Sequence, residues 1–411
     1  MYITRIYLEN IRGFEKVDLD LTATLLGNKK CVRRPRMRTV IIGKNGTCKT
    51  TFLRSVAIGL CDAVDAPGLL AEDVGELVRE GKKSAEIRIR LSPGGKGSRP
   101  ILVKTFLGRE HGKDFLEKKV PKKWRANNVF VCGYGAVRSP GGEETFRAYR
   151  IQDSVYTLFV YAQPLVGSEI ALRRLRDFLG MKFYETTMER IKKALGLGGR
   201  DKIELPKGGG VVISGPEIGR HIPLEGWADG YRMTFGWLLD IYAWAMRAEC
   251  ITSTGNVKGT ILLDEIEQHL HPSMQIDLLD KLSELFPDLQ IIATTHSPLV
   301  ALGATPSEVV VLKREGKKVV ADSDVRDFRG YSAEDMLVDD RLFDSDVYSP
   351  ETNKKLAEYR GLISIPKDKR TNRQTQNLKS LVRDLISQQV PGIRDNPLIE
   401  RFEKVAKKYG L

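Results

Sequence analysis

Three short segments end in residue types that suit phosphate chemistry. The first is Gly43-Lys44-Asn45-Gly46-Thr47-Cys48-Lys49-Thr50, followed by Thr51. It lies between the apolar run at 39–43 and an amphipathic segment that begins at about Lys49. A glycine-containing loop between a buried strand and a helix turns backbone N–H groups toward an anion. The helix N-terminus adds the positive end of its dipole. In that setting Lys49 neutralises the β- and γ-phosphates of ATP, and the Thr50 hydroxyl ligates Mg²⁺. The pattern asks for glycine at 48, and this chain has Cys48, whose Cβ restricts the backbone.

The second segment is Ile261-Leu262-Leu263-Asp264-Glu265. An apolar strand delivers two carboxylates to its C-terminal end, which in an open α/β sheet faces the ligand crevice. Asp264 is placed to hold Mg²⁺, directly or through water. Glu265 is placed to orient or deprotonate an attacking water. The third is Ile291-Ile292-Ala293-Thr294-Thr295-His296-Ser297-Pro298, with His296 at a strand tip, within reach of a γ-phosphate. Each has a plainer reading: a tight turn, an acidic helix cap, a structural histidine. Together they are separate requirements of one site, and the plain readings lose ground.

The elements around these segments alternate between strand and helix. Strand pairs are expected over 2–20, strands at 39–43, 129–132, 260–264, 290–295 and 308–313, and helices from 49, over 229–249 and over 272–285. That order implies an α/β fold with a mainly parallel sheet and antiparallel N-terminal strands. Residues 62–128 read as an insertion, with a short helix near 69–80 and strands at 85–91 and 101–107. Residues 151–205 read as a helical subdomain, 206–218 as a glycine-rich loop, and 326–411 as a basic helical C-terminal appendage after a head at 1–325.

Composition bounds the alternatives. The chain has 411 residues, 41% hydrophobic and 29% charged, with a net charge of +13. This is globular composition. No run of 18 apolar residues is present, so no membrane span is expected, and the N-terminus lacks the apolar core of a secretory signal. Five scattered cysteines without CxxC spacing fit a reducing, cytoplasmic setting. The charge is segregated: 28–38, 79–125 and 351–411 carry +6, +10 and +7, against −10 for the rest. Such basic extensions on an acidic body suit a polyanionic partner such as nucleic acid, although a solvated surface gives the same pattern.

The P-loop, the LLDE strand and the TTHS strand end resemble the ABC-type ATPases of the SMC, RecF and OLD group. The opening Ile6-Tyr7-Leu8-Glu9-Asn10-Ile11-Arg12-Gly13-Phe14 is similar to that group's first strand pair. The resemblance implies a signature loop ahead of the acidic strand. Here Trp227-Ala228-Asp229-Gly230-Tyr231-Arg232 stands in that place, with Ala228 where serine is common. In the group this loop meets the γ-phosphate in trans, so Ala228, Asp229 and Gly230 are nucleotide-binding candidates, and the resemblance implies a homodimer or higher oligomer closed around ATP. Glu267 to Pro272 resemble the D-loop, which accounts for His269 and His271 better than a metal site does. Gln152 and Gln163 are weak candidates for the Q-loop glutamine. Gly133-Tyr134-Gly135-Ala136-Val137-Arg138, the stretch 330–337 and Leu342-Phe343 resemble prokaryotic anti-phage defence ATPases of the Septu type, which work with a separate HNH nuclease.

The reading that follows is an ATPase that senses nucleic acid and regulates a partner nuclease. A RecF- or SMC-like repair ATPase and an ATP-gated scaffold with negligible hydrolysis, to which Cys48 and Ala228 lend weight, are the alternatives. A nuclease within the chain itself rests only on Asp322-Ser323-Asp324. In the tail, Lys367, Lys369, Arg370 and Arg373 precede Leu378, Leu381, Leu385 and Ile386 at helical spacing. That is a basic amphipathic helix, suited equally to a partner, to nucleic acid or to packing on its own chain.

Overall fold

A computed structural model describes residues 1–390 apart from 27–30, 71–73, 94–98, 123, 125, 143–147, 162, 207–208 and 389. Parts of the three basic segments, including 391–411, therefore lie outside the described residues. The chain forms two compact units, Met1–Phe343 and Asp344–Leu411. The expected boundary near 325 moves to 343 because Met336, Leu342 and Phe343 are buried in the core of the first unit.

The first unit holds a six-stranded sheet. In spatial order its strands are Lys318–Asp322, Val309–Glu315, Arg38–Ile42, Leu289–Thr294, Gly259–Leu263 and Val131–Tyr134. All pairs are parallel except that between Lys318–Asp322 and Val309–Glu315. Gly259–Leu263 and Leu289–Thr294 are buried at every position, as strands covered on both faces must be, and this is why Ile261–Leu263 and Ile291–Ala293 read as apolar runs. The strand Arg38–Ile42 lies in the middle of the sheet and feeds the helix Lys49–Leu60. The three chemistry-bearing segments therefore leave the same edge of adjacent parallel strands.

A five-stranded antiparallel sheet completes the unit, in the order Phe14–Asp20, Tyr2–Ile11, Ser84–Ser92, Ile101–Glu110, Lys113–Lys119. Its strands alternate, with Ile3, Ile6, Leu8, Ile87, Ile89 and Leu91 buried. Much of the expected insertion at 62–128 lies in this sheet. Three of its strands extend the sheet begun by the N-terminal pair, and the helix expected near 69–80 is two 3₁₀ turns, Ala66–Leu70 and Val74–Leu77. Lys118, on the edge strand, donates from Nζ to Ile58 O at 2.7 Å and Gly59 O at 3.0 Å. It caps the carbonyl end of the helix Lys49–Leu60, where a cation opposes the dipole. Burial pulls the Lys118 ammonium down to about 8.

The expected helical subdomain contains the helix Ser168–Ala194, broken at Gly180 (φ 70°), which packs on Asp229–Arg247. Part of the expected loop at 206–218 is strand: Val212–Gly215 pairs with Lys202–Glu204 and Gly219–Pro223. Val211 and Ile213 are buried there, and pairing across the hairpin outweighs the low strand propensity of the neighbouring glycines. In the second unit, Pro350–Ile363 packs against Asn372–Ser387 around Leu356, Leu385 and Val390. Leu378 and Ile386 are half-buried and Leu381 is buried, so the apolar stripe is at least partly used within the unit. Arg370 donates to Ile365 O and Ile363 O and so closes the end of the preceding helix.

Candidate functional site

The loop 43–50 joins the central strand to the helix Lys49–Leu60. Cys48 heads that helix with φ 64° and ψ 29°, the left-handed conformation that the glycine of the pattern adopts freely. Lys49 is 7% exposed, and its Nζ donates to Gly43 O at 2.7 Å and to Lys44 O at 3.2 Å. The ammonium is folded onto its own loop and stands at the loop's mouth. Burial lowers its pKa, while the charges of Asp264 and Glu265 oppose the shift.

The loop meets the acidic strand through one hydroxyl. Thr50 Oγ1 donates to Asp264 Oδ2 at 2.7 Å, and Thr294 Oγ1 donates to Asp264 Oδ1 at 2.6 Å. Thr294 Oγ1 also accepts from Glu265 N at 2.9 Å. A hydroxyl and a carboxylate side by side are the oxygen donors that Mg²⁺ takes from a protein when phosphate and water complete its shell. The residues present therefore fit that ion. Among the described residues no group of three or more His, Cys, Asp and Glu side chains could hold a metal by itself.

Glu265 has φ 46°, rare for a residue with a side chain, and bends the chain sharply out of the strand. Its carboxylate accepts a hydrogen bond from Gln268 Nε2. Glu267 accepts from His296 N and from Thr295 Oγ1, each at 2.7 Å, and so fixes the tip of the third strand. Burial, then the charge of Lys49, holds the His296 imidazole below its ordinary pKa, favouring the neutral ring. A cavity of about 320 Å³ is lined by residues 45–51, Asp264, Glu265, His296 and Arg12.

The expected residues of the three motifs are thus brought together. Ala228, Asp229 and Gly230 are not: they open the helix Asp229–Arg247 and do not line that cavity. Gly230 packs on the D-loop candidate, where an ideal Cβ would stand 2.5 Å from His269 O. His271 accepts from Ser273 N and caps the following helix. Gln152 and Gln163 line a different cavity, of about 400 Å³, beside Asp240 and Trp244. Asp322 accepts from Asp324 N at 2.9 Å, and both are exposed and do not line the cavity at loop 45–51.

Four residues at or beside the site stand in quoted segments without a role assigned from sequence: Arg12, which lines the cavity, Thr294, Glu267, and Arg138, which donates to Asp264 O and Glu265 O. Thr294 and Glu267 carry a faint signal, as polar groups at the end of an apolar strand and next to one. Arg12 and Arg138 come from remote segments that only the fold places here.

Residues 215–301 match the AAA ATPase domain family. The chain is similar to the Septu protein PtuA of Bacillus mycoides, 24% identical over 394 residues covering 92% of this chain and 50% of that protein. It is also similar to the Retron Ec83 probable ATPase of Escherichia coli, 36% identical over 107 residues covering 26% of this chain and 19% of that protein. The chain thus spans about half of the first relative's length and less of the second's. The crystal structure of the SmcHead bound to the C-winged helix domain of ScpA superposes with a TM-score of 0.48 at 13% identity, covering 80% of this chain and 99% of that one. The domain match and the likeness along nearly the whole chain bear out the resemblance to ABC-type defence ATPases of the Septu kind. The parallel sheet with its antiparallel N-terminal partner bears out the fold.

Proposed function

We propose that this chain is an ATPase that binds Mg·ATP in the cavity beneath loop 43–51, dimerises around it, and regulates a partner nuclease in anti-phage defence. The observation that carries the reading is the joint of Thr50, Asp264 and Thr294, which locks the P-loop to the acidic strand. Backbone N–H groups of the loop and Lys49 hold the phosphates. Glu265 orients a water and takes its proton, and neutral His296 can donate to the γ-phosphate. Thr50 and Asp264 would hold Mg²⁺, which would supply positive charge beside the phosphate oxygens.

Two features support a closed dimer. Ala228 to Gly230 sit at a helix N-terminus suited to phosphate, yet do not line their own chain's cavity. Light scattering of Glu265→Gln with and without Mg·ATP tests this; an ATP-independent mass would defeat it. Absence of ATP turnover in the wild type would defeat the enzyme and leave the ATP-gated scaffold.

The charge pattern supports a nucleic-acid partner. Arg88, Lys104 and Lys119 are register neighbours across the outer sheet, and Arg88 and Lys104 line a depression of about 280 Å³ with Arg5, Arg90, Tyr7 and Asp18. Binding of DNA and RNA at two salt concentrations tests this, since phosphate contacts weaken steeply with salt. Purification with bound proteins from a native host tests the nuclease. Deletion of 366–411 is expected to abolish partner or nucleic-acid binding and to spare ATP binding.

A further inference from the structure

We infer that Arg138 is a positioning residue that fixes the backbone of Asp264 and Glu265 for Mg²⁺ binding and ties it to the helix Asp229–Arg247. The inference rests on the ATPase reading above.

Arg138 is 2% exposed, among the largest side chains buried to this degree. Its guanidinium donates to three backbone carbonyls: Gly135 O at 3.1 Å, Asp264 O at 2.7 Å and Glu265 O at 3.2 Å. Its face lies over Trp237, with 5.6 Å to the ring centre, and Trp237 belongs to the helix Asp229–Arg247. One planar group therefore joins the strand end at 131–134, the acidic bend and the helix that opens with Ala228 to Gly230.

Filling space does not require this residue. A buried cation is expensive to desolvate, and among the described residues its hydrogen bonds go to carbonyls and none to a carboxylate. A methionine of similar length would fill the volume without that cost. What only a guanidinium supplies is a fixed fork that meets several carbonyls at once and stacks on an indole. The carbonyls it holds flank Glu265, whose φ of 46° is a conformation that its surroundings must impose. Holding both peptide planes sets the direction in which the Asp264 carboxylate leaves the strand toward Thr50. Burial lowers the pKa of Arg138 to about 10, opposed first by Asp264, and the group stays charged at neutral pH.

The test is binding of N-methylanthraniloyl-ATP to the full chain as Mg²⁺ is titrated. Residues that orient a metal ligand commonly change metal affinity by about 10–100-fold. Arg138→Met is expected to raise the Mg²⁺ needed for half-maximal binding by about tenfold or more, with Mg²⁺-free binding unchanged. Arg138→Lys, which keeps the charge but loses the fork, should lie between. Trp237→Leu, which removes only the stack, should shift it less, and it serves with Arg138→Lys if Arg138→Met does not fold. An unmoved Mg²⁺ requirement in the folded variants overturns the inference, as does equal loss of Mg²⁺-free binding, which marks a merely structural role. Failure of the wild type to bind the analogue overturns the ATPase reading instead.

Discussion

The sulfur of Cys48 occupies the space in front of Gly13. An ideal Cβ at position 13 would lie 2.8 Å from Cys48 Sγ and 2.8 Å from Val319 Cγ2. The departure of the P-loop from its pattern is thus matched by a glycine in the opening strand pair. The left-handed backbone at Cys48 costs about 1–2 kcal/mol relative to glycine.

Cys48→Gly should therefore stabilise the protein by up to about 1 kcal/mol, the remainder being offset by lost packing of the thiol. Gly13→Ala should destabilise it by about 1–3 kcal/mol through overpacking. The double variant should recover part of that loss, and thermal unfolding of all four proteins measures it. Strict additivity would show that the two positions do not share the space.

Glu265→Gln keeps the shape of the side chain and removes the base. Its steady-state ATP turnover should fall by about 10²–10⁴-fold while nucleotide still binds. A fall below about threefold would move the proton acceptor elsewhere.

Glu267 holds the loop that carries His296 through His296 N and Thr295 Oγ1. Hydrogen bonds to a charged group are worth about 1.5–3 kcal/mol each. Glu267→Ala should lower both the melting temperature and turnover, and Glu267→Gln, which retains one acceptor oxygen, should lose less. Equal activity in Glu267→Ala and wild type would free His296 from this support.

Asp240 is buried on the helix Asp229–Arg247, where burial raises its pKa to about 6 despite hydrogen bonds from Tyr134 OH and Val166 N. The folded state then binds a proton that the unfolded chain releases near 3.8. This contribution is present below that value and is lost as pH rises through about 6. The stability difference between wild type and Asp240→Asn should therefore shift against the wild type between about pH 4 and 6. A difference independent of pH there would place the Asp240 pKa in the ordinary carboxylate range.

The three motifs were legible because each is local. A loop must follow a strand and precede a helix, and unbroken apolar runs announce strands covered on both faces. The order of strands and helices likewise gave the mainly parallel sheet. The strands within 62–128 are legible from their alternation, but alternation does not name a partner, and the partner of Ser84–Ser92 is the distant strand Tyr2–Ile11.

Residue types alone thus determine that the chain presents a P-loop, two carboxylates and a histidine at strand ends. Only the tertiary structure decides how they are held. Thr50 and Thr294 orient Asp264, Glu267 anchors the His296 tip, and Arg138 reaches the acidic bend from 126 residues away in sequence. Such contacts depend on which strands lie side by side, and that is set by the burial of whole sheets rather than by any residue's neighbours in the chain.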